Sequence, residues 1–408
     1  MLNMIDKEIL DDIMEKNPTY IKTKHGFLIP IEGVGFFHCT NLKDKDVEEK
    51  INQKYGKEAT WYTEFCSEED LDKIFKPKTV NDELLAFQAE SISWHPRIYR
   101  TFLSRKGRIQ DWSLQNYYNK NNIQKRYFDS LSKGNQNKVK NIPVNMAYFD
   151  SVNAYCIKKK SVFIVLSEPL EQFLFFMNLF GYADIPFEDM KAAYSIAMRT
   201  MLGFESFDFD LDPRFDNLNE EYIKTAKEKT KFQMDFIVGH EYSHYLLGHL
   251  NAKNSVMMQM SSNIDDDNQI DRKIPTFSYA KKNEFDADWY SIKNINCNNV
   301  YKNELTNAAF ELFIYFAAFE KIKSFFAYSA SYSHPAPIDR LWQLRKKINK
   351  RFGMSEDEIN LNLSSVLEFT NEFIEKYLVF NVDQFETKGS FYLPSYINLP
   401  LRRDRIDF

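Results

Sequence analysis

The sequence has little cysteine, glycine or proline. Its 408 residues include 4 cysteines, 12 glycines and 13 prolines. The cysteines lie far apart without a CxxC pair, which argues against a disulfide framework and against a cysteine zinc site. The low glycine and proline content excludes collagen-like and low-complexity chains. With 44% hydrophobic residues, the chain is long enough to form a globular protein with a sizeable core.

Long apolar runs without charges are also missing. The two most apolar stretches, 170–187 and 308–328, contain two and four charged residues. Each such charge costs roughly 2.5 to 3.5 kcal/mol at the centre of a bilayer. The N-terminus has no apolar segment of the signal-peptide type. We therefore expect buried core helices at both stretches, no membrane partner and a cytoplasmic location.

Charge is unevenly distributed along the chain. The formal net charge is −5, yet residues 97–140 contain eleven lysines and arginines, two acidic residues and seven aromatic residues. Such a segment can follow a nucleic-acid backbone and stack on bases. The alternative is a helical segment whose aromatic rings face the core while its basic groups face water. Of the two interpretations, the sequence favours the second.

Shifts in charge and hydrophobic pattern predict three regions. These are a mixed N-terminal region at 1–141 that includes the basic aromatic segment 97–140, a central domain at 142–352, and a C-terminal tail of unknown role at 353–408. Alternating residues predict a hairpin at 152–166. Helical patterns follow at 169–180, 187–202, 219–250, 281–294, 303–328 and 337–352. The predicted fold class is α+β, helix-rich, with a small antiparallel sheet.

The strongest functional signal is His240-Glu241-Tyr242-Ser243-His244, inside one of these helices. Histidines at i and i+4 lie about 40° apart around a helix, so both imidazoles can bind one metal ion. Glu241 is placed to reach a water molecule on that ion. A catalytic zinc usually has three protein ligands and one open position, so a third ligand must come from elsewhere.

An acidic pair follows forty residues after His244. Glu284 and Asp288, within Glu-Phe-Asp-Ala-Asp, are also spaced i and i+4 on a predicted helix. If Glu284 is the third metal ligand, Asp288 can accept a hydrogen bond from the outward ring nitrogen of His240 and fix its tautomer. An isolated acidic pair of this kind usually lies on a solvated helix face. The two histidines upstream favour a functional interpretation of this pair instead.

Two further histidines need an interpretation. His334 precedes Pro335 and therefore lies at a turn, where side chains often face a cleft. There it could donate to a developing oxyanion, with Arg340 supporting it or the substrate. The alternative is a capping or core histidine with a surface arginine. His249 lies about 180° around the helix from His240 and is predicted to be structural.

Together these residues carry a resemblance to a known family. The order HExxH, Gly248-His249, Glu-Phe-Asp-Ala-Asp and Ser333-His334-Pro335 resembles the gluzincin zinc metallopeptidases. That family includes the heat-shock protease HtpX and the CAAX prenyl protease, and the pattern also looks like that of the soluble relatives grouped with the phage-exclusion protease Lit. The strand at 152–155 is similar to the strand before their active-site helix. The resemblance covers about residues 142–350, half of the chain.

The resemblance implies a zincin-like domain with one zinc ion per chain, bound by His240, His244 and Glu284, with Glu241 as general base. It also implies a strand that borders the cleft and pairs with an extended protein or peptide substrate. The residues of that strand are Ser161, Val162, Phe163, Ile164 and Val165. HtpX and the prenyl protease are membrane proteins, whereas this sequence shows no span, so a membrane-embedded substrate is not expected.

Three hypotheses follow. The leading one is a soluble zinc metalloendopeptidase, a hydrolase in which Glu241 takes the proton of the attacking water and His334 stabilises the oxyanion. The second is a restrained phage-defence protease that cleaves a host protein. The third is a non-catalytic zincin-fold protein that binds nucleic acid through residues 97–140 or serves as a scaffold, which the overall acidity of the chain opposes.

Overall fold

A computed structural model of the chain describes residues 7–23, 26–31, 35–39, 45–93, 96–149, 152–158, 160–182, 185–205, 219–250, 255–259, 273–277, 280–326 and 335–386. These residues are mostly helical, with small sheets, which confirms the helix-rich α+β class. They form two compact units that divide between Lys120 and Asn121.

The first unit combines an antiparallel sheet with short helices. Its strands are β1 (Ile21–Thr23), β2 (Gly26–Ile31) and β3 (Gly35–Cys39), in that order in the sheet. Its helices are α1 (Lys7–Lys16), α2 (Lys45–Tyr55), α3 (Glu68–Phe75), α4 (Val80–Ser93), α5 (Pro96–Lys106) and α6 (Leu114–Asn119).

A buried carboxylate fixes two helix starts in this unit. Asp70, which is fully buried, accepts a hydrogen bond from the backbone N–H of Ser67, the residue that caps α3. The same side chain accepts from the backbone N–H groups of Leu114 and Gln115, at the start of α6. Free N–H groups at helix starts need acceptors, so Asp70 joins α3 to α6.

The second unit contains a three-stranded mixed sheet and a two-stranded hairpin. Its strands are β4 (Val144–Ala147), β5 (Ala154–Lys158), β6 (Val162–Ser167), β7 (Ser255–Gln259) and β8 (Lys273–Phe277). The predicted hairpin is confirmed as β5 and β6. The sheet is mixed rather than antiparallel, because β4 pairs with β6 in parallel, in the order β4-β6-β5.

The second unit has ten described α-helices, and the six between residues 168 and 347 lie close to their predicted positions. The ten helices are α7 (Lys125–Ser130), α8 (Lys133–Val139), α9 (Glu168–Phe180), α10 (Phe187–Met201), α11 (Glu220–Leu246), α12 (Lys281–Lys293), α13 (Asn299–Phe325), α14 (Pro337–Lys347), α15 (Glu356–Lys376) and α16 (Val382–Glu386). Side chains of Ser167, Asn298 and Ser355 cap α9, α13 and α15.

The long helix α13 organises the core of this unit. It packs against α11, α14 and α15, and its central turns are buried. α9 packs against both α10 and α11, and β5 lies against α11. Of the two apolar stretches predicted to be core helices, the residues that lie in α9 and α13 are mostly buried, whereas Phe187 at the end of the first stretch is exposed. In the described part of the chain, no helix has both the length and the apolar sequence needed to cross a bilayer.

The unit boundary differs from the predicted one at 141–142. α7 and α8 belong to the second unit because they pack against α11, and the side chain of Arg126 pairs with Asp235 of that helix. The described part of the predicted C-terminal tail also belongs to this unit, since α15 packs against α13. The basic aromatic segment 97–140 is therefore divided between the two units.

Candidate metal centre

Two helices bring the predicted ligands together. α11 carries His240 and His244, and α12, packed against it, carries Glu284. The two imidazole Nε2 atoms are 3.0 Å apart, and they lie 3.6 Å (His240) and 3.4 Å (His244) from the carboxylate of Glu284. All three side chains are buried. Among the described residues, this is the cluster whose spacing allows a metal ion to bind.

The separations match the ligand shell of a tetrahedral zinc ion. With Zn–N and Zn–O bonds of about 2.0–2.2 Å, neighbouring ligands of a tetrahedron are about 3.3–3.6 Å apart. The observed separations of 3.0, 3.4 and 3.6 Å lie close to that range. Two histidines and one carboxylate also leave a fourth position for water. The three side chains can therefore hold a metal ion with bond lengths like those of zinc.

The outward nitrogen of His240 has a strong acceptor. Its Nδ1 lies 2.8 Å from Oδ1 of Asp288, and because an ionised carboxylate can only accept, Nδ1 carries the proton. Arg340 donates two hydrogen bonds to the same carboxylate, at 2.6 and 2.8 Å. The guanidinium also lies over the ring of Phe313. Asp288 and Arg340 thus hold His240 with its Nε2 lone pair toward Glu284.

The pKa values of the two histidines shift in opposite directions. Burial lowers the pKa of His244 to about 3, because the nearby Glu284 only partly compensates for the lost hydration. Burial also disfavours charged His240, but its hydrogen bond to Asp288 and the carboxylates of Asp288 and Glu284 raise its pKa overall. His244 is therefore neutral at pH 7 and offers its lone pair without proton competition.

The cluster has an excess of negative charge. The carboxylates of Glu241, Glu284 and Asp288 are buried, and Arg340 is the cation that pairs with Asp288. Burial favours the neutral form of Asp288, but the charge and hydrogen bonds of Arg340 lower its pKa overall. With both histidines neutral, as metal ligands must be, and all three carboxylates ionised, the three carboxylates and one guanidinium give a formal charge of −2, which is costly in a buried site. A divalent cation would neutralise it.

His249 returns to the ligand cluster because α11 ends abruptly. Gly248 has φ 75°, a left-handed conformation that suits glycine. The backbone N–H of His249 donates to the carbonyl of His244 at 2.9 Å, and that of Gly248 donates to Tyr245 at 3.0 Å. These two bonds form a Schellman motif. The His249 Nδ1 atom lies 3.0 Å from Nδ1 of His244, so the prediction of a position opposite His240 is wrong.

One tyrosine, Tyr127, contacts both helices that carry the predicted ligands. The ring of Tyr127 lies against the backbone of Gly239, where an added Cβ would be 2.4 Å from the ring carbons. Its hydroxyl donates to the carbonyl of Ser291 in α12 at 2.6 Å. Tyr127 is fully buried, so the helix carrying His240 and the helix carrying Glu284 contact the same immobile ring.

Further bonds fix the end of α12 to the α7–α8 segment, residues 125–139. Leu131 forms an isolated antiparallel bridge with Ile295, and the backbone N–H of Asn296 donates to Ser130 at 2.8 Å. The register of α12, and with it the position of Glu284, is therefore set by backbone contacts as well as by packing.

Glu241, next to His240 in α11, is buried. Its side chain is 7% exposed, and its charge adds to the burial that raises the pKa of the Cys156 thiol in β5. The same charge acts on Arg340. Glu241 is thus a buried carboxylate whose charge acts on both Cys156 in β5 and Arg340.

The predicted substrate-binding strand has little free edge. Val162, Phe163, Ile164 and Val165 lie in β6, with Ser161 just before it. β6 is the central strand of its sheet, and from Ile164 onward it pairs with β4 on one side and β5 on the other. An extended substrate cannot add to the strand at Ile164 and Val165, so the predicted pairing is incompatible with the sheet there.

The third predicted element is only partly described. His334 lies outside the described residues. Arg340, at the start of α14, binds Asp288 and lies 3.8 Å from Glu284, so it supports the ligand cluster instead of facing solvent. Its side chain is 11% exposed and lies over the ring of Phe313, so Arg340 is not a surface arginine.

The basic aromatic segment supplies core contacts in both units. Arg105 is buried against the rings of Phe102 and Tyr117, and Lys106 donates to the carbonyl of Glu64. Tyr127, from the same segment, is fully buried. The side chains named here therefore make contacts within the protein, whereas Arg108, Lys120 and Lys133 of the same segment are exposed.

Sequence reasoning did not identify His249 and Tyr127 as parts of this site. Gly248 was the available signal for His249, since a glycine just after a helical pattern favours a left-handed helix end that reverses the chain. For Tyr127 no local signal exists, because its contacts with Gly239 and Ser291 join residues more than 100 positions apart.

Comparisons of the chain with protein-family models, with curated proteins and with solved structures gave no match.

Proposed function

We propose that the chain is a zinc-dependent metalloendopeptidase that hydrolyses peptide bonds of a protein substrate. One observation carries the proposal: Nε2 of His240, Nε2 of His244 and the carboxylate of Glu284 lie 3.0–3.6 Å from one another, and the buried Glu241 follows His240 in the chain. The formal charge of −2 supports a divalent ion, and the resemblance to gluzincins supports peptide hydrolysis as the reaction.

Each residue of the cluster has a separate part in this chemistry. His240, His244 and Glu284 would hold a zinc ion, whose Lewis acidity would lower the pKa of water toward about 7 and polarise the scissile carbonyl. Glu241 accepts the proton of the attacking water and delivers it to the leaving amine nitrogen. Asp288 and Arg340 keep His240 in the tautomer whose Nε2 is free to bind metal.

Burial increases the effect of these charges. Glu241 and His240 are 7% and 6% exposed, and His244 and Glu284 are not exposed at all. Few water molecules can therefore screen the carboxylate of the base or compete with the ligands. The oxyanion role of His334 stays a prediction.

The proposal is tested on full-length protein purified without chelators. Elemental analysis measures zinc per chain, and cleavage is followed with β-casein and with a fluorescence-quenched peptide library. The variants are Glu241→Gln and His244→Ala. Glu221→Gln is the matched control, because it makes the same change at an exposed position in the first turn of the same helix.

We expect about one zinc ion and measurable cleavage for the wild type and for Glu221→Gln. Glu241→Gln should retain zinc but lose about 10²–10⁴-fold in rate, the usual contribution of a general base. His244→Ala should lose zinc. A wild type without zinc, or a zinc-loaded wild type that leaves both probes intact, would contradict the proposal. So would full activity in Glu241→Gln.

A further inference from the structure

The two metal-ligating histidines differ in the partner of their outward nitrogen. Nε2 of each ring faces the other ring and Glu284, so the neutral ligand form of each carries its proton on Nδ1. For His240 that proton goes to the carboxylate of Asp288. For His244, Nδ1 of His249 lies within hydrogen-bond distance of Nδ1, at 3.0 Å.

We propose that His249 is a positioning residue for His244: its Nδ1 accepts the Nδ1–H of His244 and fixes the ring with Nε2 directed at the metal. The inference rests on the metal site of the proposed function. It requires His249 to be neutral, with its own proton on Nε2, since Nδ1 must present a lone pair. The two rings meet at 60° with their centroids 5.1 Å apart, a geometry that brings their edges together.

The helix end makes this contact possible. The Schellman bonds of Gly248 and His249 are backbone bonds, so they place residue 249 near His244 whatever its side chain. His249 is also half-buried rather than enclosed, and a substitution there leaves the turn and the helix intact. The effect of a variant can therefore be assigned to the side chain.

Charge explains why a histidine suits this position. An aspartate would also accept the proton of His244, as Asp288 does for His240. It would, however, add a carboxylate to a cluster that already has a formal charge of −2, and a divalent ion would no longer balance it. A neutral imidazole orients the ligand without adding charge.

Three variants separate hydrogen bonding from packing. His249→Ala removes the side chain, and His249→Phe keeps a ring without a nitrogen acceptor. His249→Asn offers Oδ1 near the position of the imidazole Nδ1. Zinc affinity is measured by competition with a chromogenic chelator at pH 7.5, and ligand geometry by the visible absorption spectrum of the Co²⁺-substituted protein. Circular dichroism confirms that each variant is folded.

If His249 acts through its nitrogen, the Ala and Phe variants lose about 10–100-fold in zinc affinity with an altered Co²⁺ spectrum, whereas the Asn variant retains both. Wild-type affinity and spectrum in the Ala variant would overturn the proposal. So would a Phe variant that binds zinc as tightly as the wild type while the Asn variant does not, because packing would then be the cause. A wild type that binds no zinc would instead overturn the proposed function.

Discussion

The contact between Gly239 and Tyr127 makes one substitution informative. In Gly239→Ala the new Cβ would lie 2.4 Å from Cε2 and Cζ of Tyr127 and 2.7 Å from its hydroxyl oxygen. Carbon atoms in contact are about 3.5–4.0 Å apart, so the ring or the helix must move by about 1 Å. The ring is fully buried, and its hydroxyl is bonded to Ser291, so it cannot move freely.

The expected cost follows from these contacts. Overpacking a buried site costs about 1–3 kcal/mol. Displacing the ring also breaks the bond to Ser291 and leaves a buried polar group unpaired, which costs about 1–3 kcal/mol. Alanine regains about 1 kcal/mol of helix propensity over glycine. We therefore expect Gly239→Ala to lower the free energy of unfolding by about 1–5 kcal/mol, and to weaken zinc binding because His240 is the next residue.

The assay is urea denaturation with EDTA present, followed by circular dichroism, together with a zinc titration. Gly134→Ala is the matched control, since it lies in helix α8, where an added Cβ meets no atom within 4 Å. That control should be as stable as the wild type or slightly more stable. In the double variant with Tyr127→Leu, the cost should be less than the sum of the two single costs. Equal stability of the two glycine variants, or strict additivity, would refute the reasoning.

Three other predictions concern charged groups. Arg340→Met leaves the buried carboxylate of Asp288 without its cation, so it should lower the free energy of unfolding, measured by urea denaturation, by about 3–5 kcal/mol. An unchanged urea midpoint would show that the ion pair is not needed for stability. Because the folded-state pKa of His240 is raised above 6.5, its contribution to stability without metal is present below pH 6.5 and lost as the pH rises through that higher pKa. With saturating zinc, stability should instead rise with pH, since protons compete with the metal for Nε2. Thermal melts from pH 5.5 to 9, with zinc or with EDTA, test this. Melting temperatures that change with pH in the same way under both conditions would argue against it. Asp70→Ala removes the hydrogen-bond acceptor at the starts of two helices and should lower the free energy of unfolding by about 1–4 kcal/mol. Glu69→Ala, at the exposed neighbouring position, should change it little. Similar urea midpoints for the two variants would contradict the capping role of Asp70.

The ligand set could be predicted from the sequence because helical spacing is a local property. His240 and His244 share a helix face whatever surrounds them, and Glu284 and Asp288 share another. The hairpin of β5 and β6 was also predictable, since its alternation and turn lie within fifteen residues. Its parallel partner β4 was not, because that pairing depends on the route of the chain and not on a local pattern.

Other features of the fold could not be predicted from the sequence, because packing between distant residues determines them. The boundary between the compact units lies before α7, since α7 and α8 pack against α11, about 100 residues downstream. The positive charge of residues 97–140 did not reveal that Arg105 is buried against aromatic rings. The position of His249 depends on where α11 ends, and extrapolating an ideal helix past Gly248 reversed its side.

The two ligand helices are joined through the α7–α8 segment, which precedes both of them in the chain. Tyr127 contacts α11 and α12 together, and Leu131 and Ser130 hold the chain just after α12. The connection from 251 to 280 therefore need not set the distance between the helices. Since each doubling of a loop's length costs only about 0.6 kcal/mol, a change in the length of this connection outside β7 and β8 should leave the distance between the two helices unchanged.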